Sequence, residues 1–181
     1  MLPRITKAMH TGFENHIGVL SLTENPHNLL MWAHYADSHQ GFVIQFDASH
    51  KFFYQRKSKD DQLRHLRPVS YSRDRPSLTL SQVNGLDYCL AKSMDWSYEK
   101  EWRLIFSLAD SNEKIKAEPY DVHLFKIPFE AMTSVIIGAR SIAKTVSQIK
   151  EVLSANIDLS HISLFQMEVH EERFELVMKQ L

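Results

Sequence analysis

The sequence predicts an α+β fold: a single domain spanning residues 1–181, built on a mixed β-sheet with flanking helices. Three observations predict it. Short apolar and β-branched runs of strand length alternate with stretches of helical period. The last third reads strand, capped helix, strand, which is the pattern of a βαβ unit with a right-handed crossover, and a further antiparallel strand follows it. No Pro-, Gly- or Ser-rich linker, repeat or low-complexity tract divides the chain, and 181 residues suffice to bury about two thirds of the surface of the unfolded chain.

Ile17–Thr23 is the first strand. Asn25 and Pro26 then open a helix, the asparagine as cap and the proline in the first turn. This helix is expected to run to about Asp37, with Leu29, Met31, Trp32, Tyr35 and Ala36 on its face and His34 pointing well away from Trp32. Gly41 ends the turn and Phe42–Phe46 is a second strand. Pro68–Ser72 is a short strand, and Ser77–Ser93 is read as helical through Leu80, Val83, Leu86, Cys89 and Leu90, although Gly85 disfavours it.

The run DWSYEKEWRLIF, Asp95 to Phe106, reads as a core strand, followed by a polar loop at Ser111–Pro119 and a strand at Asp121–Ile127. Thr133–Ile137 is a β-branched strand, and Ser141 is placed to cap a helix carrying Ile142, Val146, Ile149 and Val152 on one face. Ile162–Val169 follows as a strand, and Phe174–Met178 pairs back through the EERF turn.

Composition bounds the function. The one cysteine, Cys89, cannot form an internal disulfide, and the start MLPRITKAMH lacks the apolar run of a signal peptide. No stretch approaches the ~18 apolar residues of a membrane span. A soluble cytoplasmic protein with no membrane partner is the expectation. A formal net charge of −1 argues for no polyanionic partner, but the charge is unevenly spread. Between Lys51 and Arg75 there are eight Lys or Arg against three Asp, a local charge of +5 that leaves −6 for the rest. Phe52, Phe53, Tyr54 and Tyr71 lie among these cations, a mixture able to hold a nucleic-acid backbone, or a nucleotide or phosphorylated small ligand. A solvated surface whose aromatics serve the core explains the same residues.

Of ten histidines, only His34 and His39 sit close together, with His27 upstream. Their spacing of five does not bring two ligands onto one helical face, so no metal site is read from them. The GARS turn, Gly138 to Ser141, joins a strand to a helix N-terminus where free amides could meet an anion, with Arg140 adding charge. It carries neither a Walker A lysine nor a GxGxxG pattern, and an ordinary connection accounts for it.

The densest chemistry lies in DWSYEKEWRLIF. Strand alternation puts Glu99, Glu101, Arg103 and Ile105 on one face and Trp102, Leu104 and Phe106 on the other. Two carboxylates and a guanidinium on one side of a strand either line a cleft or lock two elements together as ion pairs.

The runs LLMWAHYADSHQGFVIQFD, Leu29 to Asp47, and KSMDWSYEKEWRLI, Lys92 to Ile105, together resemble the bacterial family known as domain of unknown function 2971. The later VIIGAR segment and the C-terminal strand pair agree with its layout, so the resemblance is read over nearly the whole chain. It implies that Trp32, His34, Tyr35, His39, Gly41, Trp96, Glu99, Glu101, Trp102 and Arg103 are the characteristic residues. Members usually begin with a further strand and helix followed by an Asn-Asp-Pro-Phe motif. That motif is missing here, so a site completed by such a segment is expected to be lacking.

Three functional classes follow. Glu99-Lys100-Glu101 fits the ExE pattern of ADP-ribosyltransferases, which would make Glu101 the catalytic carboxylate with Glu99 as partner and NAD as cofactor. A cleft between the helix carrying His34 and Tyr35 and the strand carrying Glu99, Glu101 and Arg103 then sets His34 beside the carboxylates as a further catalytic candidate. Tyr35, Arg103 and His39 are its cofactor-binding candidates. The second class is a phosphodiester-cleaving effector of phage defence, suggested by the basic segment and a loose likeness of the YExEWR strand to abortive-infection proteins. The third is a binding or interaction module without chemistry, whose Glu101 and Arg103 form buried ion pairs and whose tryptophans pack the core.

Overall fold

The computed structural model describes residues 16–76 and 85–181. In chain order its elements are β1 (Ile17–Thr23), α1 (Leu29–Tyr35), β2 (Phe42–Phe46), β3 (Leu66–Pro68), β4 (Ser70–Ser72), α2 (Gly85–Cys89), β5 (Ala91–Ser93), β6 (Glu101–Ser107), β7 (Glu113–Ile115), β8 (Val122–Leu124), β9 (Met132–Ile137), α3 (Ala143–Ala155), β10 (Ser163–Val169) and β11 (Leu176–Gln180). This is an α+β fold. The chain forms two compact units: the described residues within Met1–Leu22 and Lys51–Ile127 make the first, and Thr23–His50 with Pro128–Leu181 make the second.

The second unit carries a four-stranded mixed sheet in the order β11-β10-β9-β2. Strands β9 and β10 are parallel, with Phe165 opposite Ile136, and α3 forms the crossover between them. Strand β11 returns antiparallel, Met178 opposite Met167, as the C-terminal pattern predicts. On the other side β2 pairs antiparallel with β9, Val43 opposite Ile136. Trp32, Ala36, Ile136, Met167 and Leu176 make the core cluster, with Leu29, Val43, Ala139 and Phe165 packed against it. Strand alternation brings Val43, Ile136, Phe165 and Met167 to one sheet face, and α1 lays Trp32 and Ala36 on it. The indole N–H of Trp32 donates to the Pro26 carbonyl at 2.7 Å, so the ring is buried with its polar atom satisfied.

Two helix starts differ from the reading. Asn28, not Asn25, caps α1, its Oδ1 accepting from the amides of Leu30 at 2.9 Å and Met31 at 3.2 Å. The amide of Asn25 instead donates to Thr23 Oγ1 at 3.0 Å. The helix stops at Tyr35 because Asp37, Ser38 and His39 all adopt positive φ, at 46°, 53° and 72°, and Tyr35 is exposed rather than on the packed face. Ser141 does not cap α3: Ile142 stands at that position, and the Ser141 hydroxyl donates to the Gly41 carbonyl at 3.2 Å.

The first unit holds a three-stranded sheet, β1-β6-β3, and two small ladders, parallel β4-β5 and antiparallel β7-β8. Phe52, Phe53, Val69, Leu104, Ile105 and Phe106 are buried in it. Phe52 meets Phe53 edge-on at 5.3 Å between centroids, and Phe106 stacks on Phe125 at 5.1 Å. The aromatics at the start of the basic segment are therefore core, apart from the exposed Tyr54. The expected helix Ser77–Ser93 is helical at Gly85–Cys89, is a strand at Ala91–Ser93, and for residues 77–84 lies outside the described residues.

The expected strand Asp95–Phe106 is two elements. Met94–Glu99 is a 3-10 turn started by Ser93, whose side chain accepts from the Asp95 amide, and ended by Lys100 at φ 45°. Only then does β6 begin. The expected strand Pro68–Ser72 likewise breaks at Val69, whose amide donates to the Glu101 carbonyl at 2.9 Å. The predicted polar loop Ser111–Pro119 contains β7, the partner of β8.

Candidate functional site

The charged cluster of the first unit is assembled by short-range geometry. Residues two apart on β6 share a face, which aligns Glu101 with Arg103. The left-handed Lys100 swings Glu99 back toward β5, and parallel pairing of β5 with β4 sets Lys92 opposite Tyr71. The result is a closed network. Arg103 grips Glu101 with two donors, Nε to Oε1 at 2.7 Å and Nη2 to Oε2 at 3.0 Å. Lys92 Nζ donates to Glu101 Oε2 at 2.9 Å and also to Glu99 Oε2. The remaining Arg103 nitrogen, Nη1, donates to the Cys89 carbonyl at 2.5 Å. The backbone amide of Glu101 donates to the Tyr71 hydroxyl at 2.8 Å.

Glu99 is 3 % and Glu101 6 % exposed, so two carboxylates are removed from water together with two cations. Burial alone would raise the proton affinity of Glu101. The hydrogen bonds from Arg103, Lys92 and Ser21 outweigh it and hold that carboxyl at about 2, against an ordinary 4.5. Lys92 is likewise partly desolvated, yet its bonds to Glu99 and Glu101 raise its affinity for the proton. Its ammonium also stands 5.3 Å from the centroid of the Trp96 ring, a partly exposed indole 6.0 Å from the Tyr98 ring. A carboxylate offers about four acceptor positions. Arg103, Lys92 and Ser21 occupy those of Glu101, and a group held at about 2 is a weak base at neutral pH.

The structure thus brings Glu99, Glu101 and Arg103 together. The sequence reading missed Lys92, the cation shared by both carboxylates, and Tyr71. Lys92 opens the KSMDWSYEKEWR motif, so its place in that run was the available signal.

His34, Tyr35 and His39 belong to the second unit. His34 and Tyr35 are exposed, with rings 6.3 Å apart. His39 is half-buried, and its backbone is built into the fold: its amide donates to the Trp32 carbonyl at 3.1 Å, and its carbonyl accepts from the Arg140 amide at 3.0 Å. Gly138 packs so close that a Cβ there would lie 2.2 Å from the His39 carbonyl oxygen. The amides of the GARS turn are correspondingly engaged, Gly138 to the Gly41 carbonyl at 2.9 Å and Ser141 to the Gly138 carbonyl at 3.2 Å.

The basic segment is partly neutralised in place. Arg64 donates to Asp61 at 3.0 Å and to Asp110 at 2.8 Å, and Lys57 reaches Asp110 at 3.0 Å. Among the described residues, no three His, Cys, Asp or Glu side chains gather into a set able to hold a metal ion, and no helix is long and apolar enough to cross a membrane.

Comparison with known proteins finds one family. The segment from Met31 to Leu104 matches the family model described as Protein of unknown function (DUF2971). That match bears out the resemblance read from the two motifs, and it spans nearly all of both. It does not extend to VIIGAR or to the C-terminal strand pair, which the resemblance was expected to include. Neither the curated proteins nor the solved structures give a significant match. The DUF2971 description names no activity, so the function has to be argued from the geometry.

Proposed function

We propose that this chain is a binding or interaction module without chemistry of its own, and that the Glu/Arg motif of its DUF2971 region is architectural. One observation carries the reading: the carboxylate of Glu101 is buried, gripped by Arg103 through two bonds and by Lys92 through a third, and held ionised far below the usual range. A catalytic carboxylate needs at least one oxygen turned to a substrate and, as a base, a proton affinity near the working pH. Glu101 has neither in this arrangement. An internal ion-pair network in which each charge has its partner is the physical role that the contacts support.

The NAD-using transferase reading stands second, favoured by the convergence of Glu99 and Glu101 on the single ammonium of Lys92. Mass spectrometry of NAD separates the two. Purified wild-type protein in bacterial lysate is expected to leave NAD and the lysate components unchanged. NAD loss that disappears in a folded Glu101→Gln variant would overturn the binding-module reading.

A further inference from the structure

We propose that Arg56 and Arg67, with Arg56 positioned by His65, form a binding site in the first unit for the phosphate group of a small phosphorylated molecule. This names a ligand class for the binding-module reading and rests on that reading. The argument starts from strand pairing. In the β3-β6 register Arg67 lies directly opposite Arg103, and like charges facing each other across a strand pair repel. Arg103 is neutralised by the bidentate bond to Glu101. Arg67 is not.

The two terminal nitrogens of Arg67 donate to uncharged oxygens of one residue, Nη2 to the Gln62 carbonyl at 2.8 Å and Nη1 to Gln62 Oε1 at 3.4 Å. Its Nε is buried and has no hydrogen-bond partner among the described residues. A buried guanidinium donor left unpaired in a half-exposed side chain is uncommon, because its lost hydration has nothing to replace it.

Arg56 repeats the situation next door. Its terminal nitrogen donates to His65 Nε2, while His65 Nδ1 donates to the Leu63 carbonyl at 3.0 Å. The Leu63 bond fixes the tautomer, so His65 is a neutral acceptor that orients Arg56 without cancelling its charge. His65, whose ring holds Arg56, stands two residues before Arg67 in the chain, so the two cations share one neighbourhood, and their charges act on that imidazole and on each other. Asp87 attracts Arg67 through space, but no carboxylate lies within ion-pair distance of either guanidinium among the described residues.

Two guanidinium groups without a carboxylate partner, one of them with an N–H that no protein acceptor fills, suit a tetrahedral dianion, whose several oxygens can accept from more than one donor. A planar carboxylate would occupy one fork only.

The test follows the arginine Nε–H resonances of the ¹⁵N-labelled full chain by NMR, assigned through bonds in the wild type. Inorganic phosphate is titrated at constant ionic strength against sodium chloride. The Nε–H signal of Arg67 is expected to move saturably with phosphate and not with chloride. Arg67→Lys and Arg56→Lys, each shown to be folded by circular dichroism, are expected to weaken phosphate binding at least tenfold. An Arg67 signal that ignores phosphate, or follows it no differently from chloride, overturns the proposal without reference to either variant. A single-stranded oligonucleotide that shifts Arg67 where phosphate does not would also overturn it, in favour of a nucleic-acid surface. NAD turnover is measured separately, so this site and the binding-module reading can fail independently.

Discussion

Replacing Glu101 by Gln removes one negative charge from a buried network and leaves the shape of the side chain almost unchanged. In the wild type that carboxylate accepts from Arg103 twice and from Lys92 once, at 2.7, 3.0 and 2.9 Å. After substitution Lys92 keeps Glu99, whereas Arg103 keeps the Cys89 carbonyl and one bond to the neutral amide oxygen, meets an NH2 donor where the second carboxylate oxygen stood, and carries an unbalanced buried charge. Breaking a buried pair from one side costs about 3–5 kcal/mol. The drop in proton affinity from 4.5 to about 2 gives a similar figure, about 3 kcal/mol at neutral pH.

With a urea slope of about 2 kcal/mol/M, the unfolding midpoint should fall by about 1.5–2.5 M. The pH dependence supplies a second check. The folded affinity of Glu101 lies below its unfolded one, so the folded state binds fewer protons and the contribution is complete above about 4.5, then fades as the pH falls toward 2. Urea melts by circular dichroism at neutral pH and at stepwise lower pH should show the gap between wild type and Glu101→Gln closing over that window. A loss at neutral pH below about 1 kcal/mol, the worth of an exposed pair, would refute the argument.

Other parts of the fold give further expected outcomes. Burial, reinforced by the charges of Arg56 and Arg67, lowers the proton affinity of His65, so its contribution is complete above 6.5 and is lost as the pH falls below that. Wild type should therefore lose stability between pH 7.5 and 5.5 in a way that His65→Gln does not, and parallel losses in the two proteins would count against a buried neutral imidazole. Gly138→Ala drives a Cβ to 2.2 Å from the His39 carbonyl oxygen, and should cost about 1–3 kcal/mol in thermal melts; an unchanged Tm would show that the turn yields freely. Trp32→Ala empties the centre of the second unit, where the indole is 2 % exposed. It should cost about 3–5 kcal/mol by urea unfolding, and a cost near zero would mean that Trp32 does not anchor that core.

The legible parts of the fold were those where one strong period runs unbroken. Thr133–Ile137 and Ile162–Val169 are β-branched or alternating runs around a helix, and they appear as β9, α3 and β10 with the expected parallel pairing. The strands Ile17–Thr23 and Phe42–Phe46 appear at the expected bounds. What misled was backbone conformation that no glycine announces. Lys100 at φ 45° cuts DWSYEKEWRLIF in two, so alternation counted from Asp95 assigns Glu99 to a strand it does not occupy. Positive φ at Asp37, Ser38 and His39 ends α1 early in the same silent way.

Of the candidate site, the pairing of Glu101 with Arg103 was readable because it is local, two residues apart on one strand. Lys92 reaches the same carboxylate through the parallel β4-β5 ladder, and nothing in residue spacing reports that pairing. The two units were also invisible to a search for linkers. Each is assembled from separated segments, and the boundaries at 22, 50 and 127 fall within or beside ordered elements rather than in flexible tracts.

The most direct test of an architectural Glu101 is its own titration, followed by the ¹³C shift of the Glu101 side-chain carboxyl in the folded protein from neutral pH downward. A midpoint near 2, where Arg103 and Lys92 hold the charge in place, is the predicted result. A midpoint at or above the ordinary 4.5 would contradict it, because the carboxylate would then be loosely held and available to a substrate.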